Sequence, residues 1–234
     1  MSTIDNRIAR NIQIYKGEIW SHTYKFDDIV IRYFYKKVPI MANICHNPVS
    51  SFKYTDVALE TAMKALIGQA YSDVKSLNIF EFEDDIHFVQ KEAKSPSRLA
   101  FFYLAYYGKT WYEDRFNAKM IDPEKYKTFR QSLHFLTDPT QKPPFAEFLK
   151  IIGMESLDLE TDYNNSETYR EFFEKIPESA RYDSIHMWLN TFMEHYIEFN
   201  ENGWFIDANE MGNQGGKPLP EKFRIFSYRK MSYI

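Results

Sequence analysis

A cluster of acidic residues with one histidine, between residues 81 and 87, contains the ligand types that a divalent cation prefers. On one strand, residues of the same parity share a face, which gives the set Glu81, Glu83, Asp85 and His87. Carboxylates in such an arrangement hold Mg²⁺ in hydrolases and nucleases. The same alternation is typical of a solvent-exposed strand face, and no lysine completes a D-x-E-x-K spacing. The cluster is therefore a candidate metal site, with a solvated strand face as the alternative.

A second candidate pair, His195 and Glu198, is spaced i, i+3 on a predicted helix. An imidazole and a carboxylate one turn apart can bind a metal or relay a proton. The H-E-x-x-H spacing is absent from the sequence, and His186 would lie on the opposite side of the helix. The alternative is an ordinary polar pair on the surface of an amphipathic helix.

Phosphate-loop and nucleophile signatures are incomplete. Gly212–Lys217 lacks the G-x-x-x-x-G-K-[ST] order and is followed by Pro218, so we expect a hairpin loop there. Cys45 is the only cysteine, which excludes an intrachain disulfide and a cysteine-rich metal site. Its neighbour His46 would point in a different direction on a strand. The sequence predicts no cofactor and favours a protein that is not an enzyme.

Aromatic residues make up 18% of the chain, with 20 Phe, 17 Tyr and 4 Trp against eight Gly. Each large ring buries roughly 150–250 Å², so we expect a strongly aromatic core. Most of the rings fall on the apolar faces of predicted helices and strands. Trp20, Trp111 and Trp204 lie at the starts of predicted elements, where we expect them to be partly exposed and able to anchor a partner.

Charge is distributed unevenly along the chain, whose net charge is −4. Residues 1–55 have eight basic and four acidic groups, residues 211–234 have five and one, and residues 154–210 have three and 14. Basic strands from both termini could follow a phosphate backbone together with Trp20. The basic residues concerned are Lys36, Lys37, Arg224, Arg229 and Lys230. Two alternatives remain for these basic strands. They could form a solvated surface, or they could contact a protein partner of opposite charge, including a second copy of this chain.

Period-two patterns predict strands in residues 11–45, with a hairpin that turns at Asp27-Asp28. Asp56 is a plausible N-cap for a helix of about twenty residues. Phe80 and Phe82 begin another period-two pattern, which predicts a further strand or a hairpin that turns at Asp84-Asp85.

From Ser95 onward the pattern is helical, and caps mark the ends of the helices. Residues 99–107 are apolar on nearly all sides and are followed by Gly108, which predicts a buried helix. Thr110 and Glu113 match a capping box. The signals of three further helices are Asp122-Pro123 at a start, Pro143-Pro144 before a helix closed by Gly153, and a stop at Pro177. The last and longest helix is predicted over about 180–200.

These elements predict an α+β fold. A mixed or antiparallel sheet would receive strands from both chain termini, with a block of about five to six helices inserted between them. Residues 1–95 would supply mainly strands and one helix, residues 96–203 the helical block, and residues 204–234 the returning strands. Because strands distant in sequence would pair, we expect residues 1–234 to form a single domain.

The junction from Tyr106 to Lys119 has the most specific local pattern of the chain, a helix–Gly–Lys-Thr-Trp–helix arrangement. With the rest of residues 99–153, it resembles segments of uncharacterised proteins from large nucleocytoplasmic DNA viruses. The resemblance implies a viral protein made in host cytoplasm, or a virion component, and it transfers no catalytic residue. Within the junction, we expect Lys109 and Arg115 beside Trp111 to be an exposed contact group.

The chain has no apolar run near the ~20 residues that span a bilayer, and its first ten residues lack the apolar stretch of a signal peptide. We therefore expect a cytoplasmic or nuclear protein without membrane contact. The favoured function is a non-enzymatic binding or structural protein that acts through protein–protein contacts, including self-association. The alternatives are a nucleic-acid-binding module that uses the basic strands of both termini, and a metal-dependent hydrolase or nuclease.

Overall fold

The chain divides into two compact units. The sheet unit comprises Met1–His87, Tyr112–Ile121 and Glu201–Ile234, and the helical unit comprises Phe88–Trp111 and Asp122–Asn200. Within them, the computed structural model describes residues 13–15, 22–26, 29–33, 41–46, 56–74, 78–82, 86–90, 97–177, 185–200, 203–211 and 223–227. No helix in these ranges has the length and apolarity needed to cross a membrane.

Strands and helices are both abundant, as the predicted α+β class requires. The strands are β1 (Gln13–Tyr15), β2 (His22–Phe26), β3 (Ile29–Tyr33), β4 (Met41–His46), β5 (Ile79–Phe82), β6 (Ile86–Gln90), β7 (Ser97–Arg98), β8 (Lys119–Met120), β9 (Trp204–Asp207) and β10 (Phe223–Ser227). The α-helices are α1 (Asp56–Asp73), α2 (Leu99–Tyr107), α3 (Trp111–Phe116), α4 (Pro123–Ser132), α5 (Phe145–Ile152), α6 (Glu160–Asn164), α7 (Tyr169–Lys175) and α8 (Leu189–Tyr196). Two short 3₁₀ helices, Leu133–Leu136 and Pro139–Gln141, follow α4.

The sheet unit contains a mixed seven-stranded sheet in the order β1-β2-β3-β4-β5-β9-β8. Strands β2 and β3 pair antiparallel with Phe26 opposite Ile29, which confirms the predicted hairpin. Strand β5 lies between a parallel neighbour, β4, and an antiparallel neighbour, β9. Helix α1 connects β4 to β5 and packs against β2 and β3. It buries one face at helical spacing, as predicted: Leu59, Met63, Leu66, Ile67 and Ala70.

Among the described strands, β5 pairs with β4 and β9 and not with β6, so the alternative of a hairpin at Asp84-Asp85 is wrong. The two aspartates themselves lie outside the described ranges. Strand β9 comes from a segment more than a hundred residues later and offers Ile206 and Trp204, both fully buried, opposite Phe80 and Phe82. Burial of these four side chains favours the long-range pairing over a local turn.

Helix α2 is a buried helix of the helical unit that packs against α7 and α8. All of its residues from Leu99 to Tyr106 are buried, which confirms the prediction from its apolar sequence. Gly108 ends the helix with a φ of 70°, and its N–H donates to the carbonyl oxygen of Leu104 over 3.0 Å. A left-handed residue at this position is the usual C-terminal stop, and glycine adopts it without steric cost.

Three other predicted helix ends agree with the structure. Asp122 caps α4 by accepting hydrogen bonds from the N–H groups of Glu124 and Lys125 at 3.0 and 3.2 Å, with Pro123 in the first turn. Gly153 ends α5 with a φ of 69°. Helix α7 ends at Lys175, ahead of Pro177.

An aromatic core joins α5, α6, the first 3₁₀ helix and α8, as the composition predicts. The ring of Phe148 lies 5.6 Å from that of Trp188 in an edge-to-face arrangement and 4.7 Å from that of Tyr163. Phe135 stacks on Tyr196 with the ring centroids 4.3 Å apart and an interplanar angle of 6°. Such pairs add about 0.5–1.5 kcal/mol each beyond the area they bury.

The prediction of a long helix over residues 180–200 is wrong in its described part. Helix α8 spans only Leu189–Tyr196, and Ile197 has extended backbone angles. The apolar spacing overstated the helix because a turn at residues 186–188 separates the helical Ile185 from α8, and Trp188 is buried from that turn. Residues 112–121 also differ from expectation, since they belong to the sheet unit. The single domain stays a prediction.

Candidate functional site: a basic pocket in the helical unit

Four cationic side chains converge on one pocket of the helical unit, which has a volume of about 610 Å³. Its walls come from the C-terminal end of α2, from α4 and the 3₁₀ helix after it, and from α7. The lining residues are Tyr107, Gly108, Lys109, Lys127, Arg130, Gln131, Leu133, His134, Thr137 and Arg170. No carboxylate is among these described lining residues. We call this site the basic pocket.

Arg170 is fixed at the end of α2 by two hydrogen bonds. Its Nη1 donates to the carbonyl oxygen of Ala105 over 2.6 Å, and its Nη2 donates to that of Leu104 over 3.0 Å. Burial lowers the pKa of Arg170, Glu174 raises it, and the neighbouring charge of Arg130 lowers it. An arginine remains charged in spite of such shifts, because its ordinary pKa is above 12.

Arg130 makes a similar contact one residue beyond the helix. Its Nη1 donates to the carbonyl oxygen of Gly108 over 2.7 Å. Basic side chains near a helix C-terminus satisfy its last carbonyl groups and interact with a partial charge of about −0.5. Capping of α2 therefore accounts for the position of both guanidinium groups, and the carboxylate of Glu174 offsets part of the charge of Arg170.

Lys109 and Lys127 add positive charge that the capping of α2 does not explain. Both side chains are exposed, Lys109 directly after the helix end and Lys127 one turn before Arg130 on α4. No lining residue supplies a carboxylate to either ammonium group. The basic pocket consequently has a surplus of positive charge, which is the electrostatic environment that an anion prefers.

His134 already has an acidic neighbour. Its Nδ1 lies 3.7 Å from Oδ2 of Asp138, and its side chain is 75% exposed. Hydrogen bonds from the hydroxyl and the N–H of Thr140, at 2.7 and 2.9 Å, lower the pKa of Asp138. The carboxylate is therefore ionised near neutral pH and available to a protonated His134, so we do not count this imidazole in the surplus.

Of the predicted contact group at the junction, only Lys109 is exposed. The expectation of exposure is wrong for Trp111 and Trp204, which have no accessible surface, and for Arg115, whose side chain is 3% exposed. On helix α3, Arg115 lies one turn after Trp111 and therefore on the same face. A buried side chain does not reach a partner without a rearrangement of the fold.

Arg115 has a partner within the sheet unit instead. Its Nη1 donates to Oε2 of Glu60 on α1 over 2.9 Å, and Oε1 of Glu60 accepts from Nζ of Lys64 over 2.7 Å. Oδ2 of Asp114 lies 3.8 Å from Nε of Arg115. These contacts make Arg115 part of a structural ion-pair network.

The candidate nucleic-acid residues fall largely outside the described ranges. This applies to Trp20, Lys36, Lys37, Arg229 and Lys230. Arg224 is in β10, which is not a strand of the seven-stranded sheet, and its side chain is not among those described. The predicted basic surface therefore stays a prediction.

The metal candidates do not assemble in the described part of the chain. Glu81 is on β5 and His87 on β6, so they are not on one continuous strand, and Glu83 and Asp85 lie outside the described residues. His195 is on α8, but the helix ends before Glu198, so the helical i, i+3 geometry is wrong. No group of three or more His, Cys, Asp or Glu that could hold a metal is found among the residues described.

His195 and Glu198 do share a second, smaller pocket of about 390 Å³ with Glu194 and Phe199. Glu194 is also 3.9 Å from Nε of Arg98. Both carboxylates and the imidazole are exposed to solvent. The described lining residues of this pocket therefore form neither a buried acid–base pair nor a set of metal ligands.

Sequence reasoning missed Lys127, Arg130 and Arg170. Lys127, Arg130 and His134 recur at i, i+3 and i+7, a basic stripe at helical spacing that the sequence does contain. Arg170 has no such signal, because it reaches the pocket from a helix more than sixty residues after α2.

Comparison with known proteins adds no family. No protein-family model, no curated protein and no solved structure matches the chain. The resemblance of residues 99–153 to viral proteins stays a prediction.

Proposed function

We propose that the protein is a non-enzymatic binding protein, and that its helical unit holds a phosphate group of the ligand in the basic pocket. The observation that supports this proposal is the convergence of Lys109, Lys127, Arg130 and Arg170 on one concave site without a lining carboxylate. The non-enzymatic function is the one expected from the sequence. Of the contact group predicted at the aromatic junction, only Lys109 lines the basic pocket, and the other proposed contact residues are new.

A phosphate fits the donor set better than a carboxylate does. A phosphate monoester has a charge between about −1.5 and −2 near neutral pH and three acceptor oxygens. Guanidinium groups bind such oxygens as planar forks, and ammonium groups act as compact point charges. Two of each in one pocket match a multiply charged anion with several oxygens.

The arginine positions are already fixed before a ligand arrives. Arg170 uses two of its five N–H donors on the carbonyl oxygens of α2. Because its guanidinium group is held there, little side-chain entropy is lost when an anion accepts from the same fork. The exposed Lys109 and Lys127 would then close on the anion from the rim.

Inorganic pyrophosphate is the appropriate first probe, measured by isothermal titration calorimetry at an ionic strength of about 0.15 M, where the Debye length is about 8 Å. The variant is the double substitution Lys109→Gln with Lys127→Gln. The matched control is Lys125→Gln with Lys150→Gln, two exposed lysines of the same unit that do not line the pocket. Both double variants remove the same net charge.

We expect wild-type protein to bind pyrophosphate and the pocket variant to bind at least about tenfold more weakly, a difference of about 1.4 kcal/mol. The control should lose less than about twofold, because exposed charges at a distance are screened by salt. Absence of binding to the wild-type protein, or an equal loss in both variants, would overturn the proposal.

A further inference from the structure

Resting on the proposed function, we infer that the ligand is a nucleoside phosphate, with its phosphate on the cationic side chains and its base against the ring of Tyr107. The observation behind this step is the composition of the rest of the pocket. Beside the cations, it has an aromatic ring, an aliphatic side chain and neutral polar groups.

Tyr107 is a rigid aromatic wall. Its ring is 5.1 Å from that of Tyr103 and 6.4 Å from that of Phe102, both of which are fully buried on α2. These contacts fix the orientation of the ring, while Tyr107 itself is only partly buried and lines the pocket. A fixed aromatic ring at the edge of a cationic site is the arrangement on which nucleic-acid bases stack.

Leu133 and Gln131 provide the other features that a nucleoside needs. Leu133 is 7% exposed and gives an apolar surface within the pocket. The exposed side-chain amide of Gln131 has both donors and acceptors, as the edge of a base or a ribose hydroxyl requires. The Thr137 hydroxyl, which donates to the carbonyl oxygen of His134 over 3.2 Å, is a further acceptor.

The size of the pocket is compatible with a single nucleotide. Small-molecule sites occupy roughly 300–1,000 Å³, and the basic pocket has about 610 Å³. A lone phosphate would leave the wall of Tyr107 and Leu133 uncovered.

The experiment compares ligands that share the same phosphate chain. Wild-type protein is titrated with adenosine 5′-diphosphate, uridine 5′-diphosphate and inorganic pyrophosphate under identical salt. We expect the nucleoside diphosphates to bind about tenfold more tightly than pyrophosphate, since stacking of one base contributes that order of affinity. Tyr107→Leu should abolish this difference, and Tyr107→Phe should retain it because a phenyl ring still stacks.

The outcomes separate this inference from the proposed function. If pyrophosphate binds and the nucleoside diphosphates bind no more tightly, the nucleotide assignment is wrong and the phosphate site stands. If neither binds, the proposed function fails. Tighter binding of a single-stranded octanucleotide or of a phosphotyrosine peptide than of any nucleoside diphosphate would also overturn the assignment. The comparison on wild-type protein is decisive even if Tyr107→Leu does not fold.

Discussion

The Nη1 atom of Arg170 lies 2.6 Å from the carbonyl oxygen of Ala105, and this contact joins α7 to the C-terminal end of α2. It places a half-buried cation at the negative end of a helix that is buried on all sides. The fold thereby builds the floor of the basic pocket from two segments that are distant in sequence.

Of the described glycines, Gly108 is the one whose replacement by alanine should be most destabilising. A Cβ at this residue would lie 3.0 Å from Nη2 of Arg170, and the φ of 70° already disfavours any L side chain. Gly153 has nearly the same φ, 69°, but open space around its Cβ position. We expect Gly153→Ala to lower the free energy of unfolding by about 1–2 kcal/mol from the backbone alone, and Gly108→Ala to lower it by more.

Urea denaturation of the two variants, side by side, measures the difference. Gly108→Ala should also weaken pyrophosphate binding, because the methyl group displaces the guanidinium group of Arg170. Equal decreases in the free energy of unfolding of the two variants would show that the contact between Arg170 and the helix end does not stabilise the protein.

The ion pair between Glu60 and Arg115 should be a determinant of stability. Glu60→Gln leaves the charge of Arg115, which is 3% exposed, without its main counter-charge. Removal of one partner of a buried pair costs about 3–5 kcal/mol, and we expect the lower part of that range because Asp114 remains 3.8 Å away. Lys64→Gln, at the more exposed end of the network, should cost less than about 1 kcal/mol.

Equilibrium unfolding in urea tests this pair of substitutions. If Glu60→Gln lowers the free energy of unfolding by less than about 1 kcal/mol, Arg115 is solvated in solution. The prediction that Arg115 is an exposed contact residue would then stand.

The tyrosines of the aromatic core should make the protein sensitive to alkaline pH. Burial raises the pKa of Tyr169 well above its ordinary value of 10.0, and the hydrogen bond with Tyr196 raises it further. Burial also raises the pKa of Tyr163 and of Tyr196. Above the ordinary value, the unfolded chain releases these protons and the folded protein keeps them, so stability falls as the pH rises.

We expect the free energy of unfolding to be nearly constant with respect to these groups below pH ~9 and to fall above pH ~10. Each tyrosine that ionises only on unfolding contributes a slope of about 1.4 kcal/mol per pH unit. Tyr169→Phe should remove one such contribution, as measured by urea unfolding at several alkaline pH values. An unchanged slope would show that the phenol of Tyr169 ionises in the folded protein.

Much of the helical unit could be predicted because its signals are local. The apolar sequence of α2, the glycines that end α2 and α5, and the aspartate that caps α4 act on residues within a few positions of themselves. The pairing of β5 with β9 had no local signal. It depends on the burial of Phe80 and Phe82 against side chains that lie more than a hundred residues away.

The candidate site was predictable only in part for the same reason. Lys109 was expected to be exposed and is, and the stripe of Lys127 and Arg130 is visible in the spacing of α4. The position of Arg170 follows from the packing of α7 on α2, which no pattern along the chain encodes. The exposure of Trp111 was predicted wrongly, because a position at the start of a helix does not determine which face of that helix is covered by the rest of the fold.

The most direct test of the basic pocket is a comparison of two charge reversals on one helix. Lys127 and Lys125 are both exposed on α4, but only Lys127 lines the pocket. Pyrophosphate affinities of Lys127→Glu and Lys125→Glu are measured by calorimetry in the same buffer. The proposed function predicts a loss of about tenfold or more for Lys127→Glu and less than about twofold for Lys125→Glu. Indistinguishable affinities for the two variants would contradict a phosphate site in this pocket.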